Sequence, residues 1–137
     1  MAGYSGTPLV KKLCIKESAA VLLVSPPEDF LKTLGPLPAG AEIVSSGSRE
    51  KLDVVLVFVL SHKQLKQEFS RLAIRLKPAG GLWVCWPKKA SGVQTDVTEN
   101  LIREVGLAAG LVDNKVCAVD ETWSGLRFVI RVVDRKK

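Results

Sequence analysis

A chain of 137 residues is the length of one domain, and 47% hydrophobic residues supply a core that needs no metal or disulfide staple. Its formal charge of +6 is a modest excess spread over Lys11, Lys12, Lys88, Lys89 and the tail Arg135, Lys136 and Lys137, which gives weak attraction to anions and no long basic face for nucleic acid. The longest apolar run, Val54 to Leu60, is far too short to span a bilayer, and MAGYSGTPLVKK lacks the apolar stretch of a secretory signal, so a soluble, cytoplasmic protein with no membrane partner is expected.

In chain order, Thr7 and Pro8 read as the N-cap and first-turn proline of a short helix through about Leu13. Ala19 to Val24 is a first strand, closed by Ser25, Pro26 and Pro27; Glu28 to Leu34 is a short helix before the breakers Gly35, Pro36, Pro38 and Gly40, and Ala41 to Ser45 is a second, weaker strand. Leu52 to Leu60, LDVVLVFVL, has no alternation and suits a central strand buried on both faces. Ser61 caps a helix whose stripe Leu65, Phe69, Leu72, Ala73, Leu76 runs until Lys77, Pro78 and Gly80 stop it. Leu82 to Trp86 is the next strand and Val97 to Ala109 the last helix, with Gly110 just past its end. Lys115 to Asp120 and Leu126 to Val133 close the chain as two strands joined by a tight turn around Trp123 to Gly125.

Short β-branched runs alternating with segments of helical period are the pattern of a mostly parallel sheet between two helix layers, here about six strands. No repeat, low-complexity block or linker divides it. Residues 1–137 therefore read as one α/β domain, with 1–18 an N-terminal arm and short helix and 134–137 a basic tail. Cys14, Cys85 and Cys117 are odd in number, widely spaced and without a CxxC pair, and they read as reduced packing residues; no metal site is expected.

The segment LKPAGGLWVCWPKK, followed by a helix and a closing hairpin, resembles the second half of a class I, S-adenosylmethionine-dependent methyltransferase fold. More closely, GYSGTPLVKKLCIK, DVVLVFV, GGLWVCWPKKASGVQTDVTE and GLVDNKVCAVDETWSGLRFVIR resemble a family of small bacterial proteins described as domain of unknown function 3052. The resemblance implies a reduced Rossmann sheet of spatial order 2-1-4-5-7-6 in that fold's strand names, with one antiparallel strand near the C-terminus and the third strand missing. It transfers no catalytic residue. Methyl transfer in that fold needs a glycine-rich turn after the first strand and an acid at the end of the second, for the ribose hydroxyls. This chain offers Ser25-Pro26-Pro27-Glu28 and Ser45-Ser46-Gly47-Ser48 instead, so no cofactor is expected.

Ligands of open parallel sheets bind at the carboxyl ends of the strands, an edge that should gather Ser25 to Glu28, Ser61 and His62, Trp86 to Ser91, and Asp120 to Arg127. One reading is a small pocket in which Lys88, Lys89 and the N-terminus of the last helix attract a phosphate or carboxylate while Trp86 or Trp123 stacks on an apolar portion, with His62 and Glu121 beside them. The other is that Lys88 or Lys89 pairs with Asp120 or Glu121 and the tryptophans merely close the core. Asp96-Val97-Thr98-Glu99 has capping-box spacing, with Thr95 as a rival cap, and a self-capped helix attracts anions less well.

His62, the lone histidine, sits at a strand-to-helix junction, but neither Ser25 nor Ser91 lies in a GxSxG elbow, and Walker, HExxH and EF-hand patterns are absent. No catalytic residue is assigned. The expectation is a non-catalytic binding or interaction module that takes a small anionic ligand, or a protein partner or second copy through the GYSGTP arm and the sheet ends. A methyltransferase or other small-molecule enzyme is the alternative.

Overall fold

The unalternated apolar run at 52–58 becomes the middle of the sheet because every residue in it except Asp53 is buried, so both of its faces need cover. The structure is a computed structural model describing residues 7–135. In chain order it holds α1 (Leu9–Lys12), β1 (Ala20–Val24), α2 (Phe30–Leu34), β2 (Glu42–Ile43), β3 (Leu52–Phe58), α3 (His62–Ala73), β4 (Leu76–Pro87), α4 (Glu99–Ala108), β5 (Leu111–Ala118) and β6 (Trp123–Ile130). Short 3₁₀ turns occupy Lys89–Ser91 and Val132–Asp134.

The six strands lie in the order β2-β1-β3-β4-β6-β5. The first four are parallel, and β6 runs antiparallel to both β4 and β5. This is the expected order and the expected single reversed strand. Leu65, Phe69 and Leu72 of α3 and Ile102 of α4 cover one face; α1, α2 and the turn after α1, with Leu13, Ile15, Phe30 and Leu34, cover the other. Each such side chain contributes about 1.5–3 kcal/mol when taken fully out of water. The wholly buried Trp83 fastens the second layer to the sheet, its indole N–H donating to the Leu13 carbonyl at 3.0 Å.

Several boundaries differ from the sequence expectation. Pro8, not Thr7, occupies the N-cap position of α1. Helix α3 stops at Ala73, and Leu76 opens β4 opposite Leu52 instead of ending the helical stripe. Lys77 to Gly80 lie inside β4, where the register with β3 jumps from Leu52–Leu76 to Val54–Gly81. Gly80 permits the close approach, since a Cβ there would sit 2.7 Å from the Leu52 carbonyl oxygen. Strand β5 starts at Leu111, immediately after Gly110 at φ 89° and ahead of the expected Lys115, and it passes through an irregularity between Asp113 and Lys115. The hairpin turn is consequently 119–122, and Trp123 to Gly125 belong to β6. Residues 1–6 and the tail lysines Lys136 and Lys137 lie outside the described residues, so most of the GYSGTP arm does too. Among the described residues no helix is long and apolar enough to cross a membrane.

Candidate functional site

Four segments meet at the carboxyl edge of the sheet, and hydrogen bonds between loops hold them. The Lys88 N–H donates to the Thr122 carbonyl at 2.8 Å, joining the exit of β4 to the final hairpin. The Val59 N–H donates to the Cys85 carbonyl at 2.9 Å, and the Thr95 hydroxyl to the Leu60 carbonyl at 2.7 Å. The Asp96 carboxylate accepts the His62 N–H at 2.7 Å. The loop after β4 thus folds back over the start of α3.

These bonds change the role of both helix N-termini. Ser61 caps α3 as its position predicts, its hydroxyl accepting the Gln64 N–H at 3.1 Å. Gln64 reciprocates, its side-chain oxygen accepting the Leu60 N–H at 3.0 Å while its amide donates to the Phe58 carbonyl. The S-x-x-Q spacing of Ser61 and Gln64 was a legible signal for this arrangement. Asp96 adds a carboxylate to the same helix end, so it caps a neighbour instead of its own helix. Helix α4 is capped by Thr98, whose hydroxyl accepts the Leu101 N–H at 3.2 Å; neither Asp96 nor Thr95 serves there. The unpaired N–H groups expected of this edge are partly satisfied from within, which leaves less of them to attract an outside anion.

Trp86 and Trp123 sit at adjacent register positions, opposite Ser124 and Pro87 respectively, and so point to opposite faces. Trp86 is 8% exposed and belongs to the core beneath α3 and α4. Half-buried Trp123 packs edge-on against Phe58 at 5.2 Å, and Phe58 against Phe30 at 5.0 Å, a row of rings that closes the other face behind the turn after β1. His62 borders a surface groove of about 390 Å³ between α3 and α4, shared with Lys66, Ser70, Leu101, Glu104 and Val105, on the side of the sheet away from Trp123. The structure therefore gathers Lys88, Lys89, Glu121 and Trp123 about the β4 exit and the hairpin, and sets His62 and the ring of Trp86 apart.

Lys88 is half-buried and Lys89 exposed, and neither ammonium makes an ion pair or hydrogen bond among the described residues. The pairing of either with Asp120 or Glu121 is not formed. Asp120 instead accepts the Thr122 and Trp123 N–H groups at 2.8 and 2.7 Å, and Glu121 is exposed. Among the described residues no group of three or more His, Cys, Asp or Glu side chains could hold a metal ion.

The sequence-family model described as "Protein of unknown function (DUF3052)" matches residues 36–132. No curated protein matches the chain. Solved structures of similar fold include a SAM-dependent methyltransferase from Aquifex aeolicus, 16% identical over 90% of this chain and 88% of that one at a TM-score of 0.60. Magnesium protoporphyrin IX methyltransferase from Synechocystis PCC 6803 with bound SAM is 12% identical over 90% and 74%, at 0.57. Aeropyrum pernix fibrillarin with natively bound S-adenosyl-L-methionine is 14% identical over 93% and 70%, at 0.55. At these identities the likeness is one of fold.

The turn after β1 does not fit the cofactor that the Synechocystis and Aeropyrum pernix proteins hold. Ser25 takes the left-handed φ of 54° that a glycine would adopt freely, and the next two residues, Pro26 and Pro27, have no N–H to offer a ligand. After β2, Val44 is buried with its N–H on the Val21 carbonyl, and no acid occurs from 44 to 49. The backbone cradle and the ribose-binding carboxylate are both missing.

Proposed function

From its membership of the DUF3052 family, to which the match over 36–132 assigns it, and from its methyltransferase-like fold, we propose that this chain is a non-catalytic binding module that takes a small anionic ligand at the carboxyl edge of its sheet. One observation carries the reading: Lys88 and Lys89 make no ion pair among the described residues, Glu121 beside them included, while Asp96 and Asp120 are committed to backbone N–H groups. An ammonium that no acid of the protein neutralises is left to attract a phosphate or carboxylate from solution, most strongly in low salt. Binding runs through Lys88, fixed by its main-chain bond to Thr122, with the more exposed Lys89 completing the charge and Trp123 bordering any apolar portion.

Inorganic pyrophosphate titrated calorimetrically into the full chain tests this. Binding in low salt is expected to weaken roughly tenfold or more, about 1.4 kcal/mol, in Lys88→Ala/Lys89→Ala. Both side chains are outside the core, so the thermal midpoint should hold. Unchanged affinity in the double variant removes the basis of the proposal. A methyltransferase is the second reading, favoured by neighbours that carry SAM on the same fold and opposed by the Ser25–Glu28 turn.

A further inference from the structure

The three cysteines, more than thirty residues apart in sequence, come to one side of one sheet. Cys85 and Cys117 both stand opposite Gly125, one on each side of β6, and belong to the same layer. Cys14 reaches that layer from the turn after α1. There the Ile15 N–H bonds back to the Val10 carbonyl at 2.9 Å and the Cys14 N–H to Lys11 at 3.1 Å, a Schellman ending whose left-handed position favours glycine. Cys14 holds that position at φ 64°, so the chain keeps a strained side chain where none is easier.

The strained residue is held against β5 on both sides of Cys117. The Lys115 ammonium donates to the Lys12 carbonyl at 2.9 Å and lies 3.9 Å from the Cys14 sulfur, and the Lys12 ammonium donates to the Ala118 carbonyl at 3.3 Å. Cys117 lies between these two anchor points. Both thiols are half-buried, so a small oxidant reaches them. Burial pushes the Cys117 thiol up, Lys12 and Lys115 pull it back, and Cys14 adds to the rise.

We propose that Cys14 and Cys117 are a redox pair that a peroxide closes to a disulfide, fastening the segment after α1 to the edge of the sheet. The Cys14 sulfur attacks one peroxide oxygen, the O–O bond breaks, hydroxide leaves and takes up the thiol proton as water, and a sulfenic acid forms. The Cys117 sulfur then attacks that sulfur, the S–O bond breaks, and the sulfenic hydroxyl leaves with the second thiol proton as water. Two thiols lose two electrons and two protons, and hydrogen peroxide becomes two waters. Cys85 is excluded as a partner. Two strands away from Cys117 across β6 means roughly 10 Å between backbones, beyond the ~7 Å reach of a disulfide. It is also wholly buried, which pushes its thiol well above the ordinary value.

The test is peptide mapping by mass spectrometry of the reduced full chain after hydrogen peroxide and alkylation. The expected product is a Cys14–Cys117 linked peptide, two hydrogens lighter than its parts, reversed by dithiothreitol and still formed in Cys85→Ala. Wild-type protein in which oxidised Cys14 and Cys117 appear only in unlinked peptides, or only as links between two chains, overturns the proposal without recourse to any variant.

Discussion

Asp96 illustrates how one carboxylate can be read correctly as a cap and assigned to the wrong helix. Its spacing to Glu99 resembles a local capping box, but its oxygen accepts the His62 N–H, thirty-four residues away in sequence, at the first turn of α3. There it adds a charge-assisted bond and complements the helix dipole. Asp96→Ala should cost about 1 kcal/mol in denaturant unfolding, and Asp96→Asn roughly half, because the amide keeps the bond and loses the charge. Equal stability of all three proteins would mean that the bond contributes nothing. Ser61 needed no structure to identify, since its cap is local; Asp96 did, because a bond between distant loops leaves no spacing in the sequence. The cysteines repeat the lesson: composition identified three free thiols, and only the register across Gly125 and the turn after α1 brought them to one layer.

Elements follow the same division. β3 was legible because burial on both faces writes an unbroken apolar run, and α3 because its stripe and cap agree. The end of α3 and the start of β5 were misread: β4 continues through Lys77, Pro78 and Gly80, and β5 already runs from Leu111 through an irregularity between Asp113 and Lys115. Gly106 in α4 looks like an ordinary weak spot of a helix, and its replacement by alanine would ordinarily gain about 0.5–1 kcal/mol. Here a Cβ would run into the ring of Phe128, which is wholly buried and edge-on to Phe69 at 5.2 Å. Gly106→Ala should therefore destabilise by about 1–3 kcal/mol by denaturant titration, because the ring has nowhere to move. A more stable variant would show that α4 can shift away from the sheet.

At the scale of the whole molecule, strand order and the position of the reversed strand were read in advance because they came with a resemblance, not from periodicity. Periodicity identifies elements; it does not order them. The candidate edge was legible as a place, since topology dictates where loops collect, whereas its interior arrangement was not: Trp86 and Trp123 face opposite ways, His62 borders a separate groove, and the expected lysine–acid pairing is absent. The fold is methyltransferase-like, and neither the Ser25–Glu28 turn nor the segment 44–49 offers the glycine-rich turn or the acid expected for that cofactor. Calorimetric titration of S-adenosylmethionine into the full chain tests this most directly. No saturable heat up to about 1 mM ligand is expected; stoichiometric binding with a Kd near 1 μM, equivalent to about −8 kcal/mol, would show that the cofactor site is intact and make the methyltransferase reading the leading one.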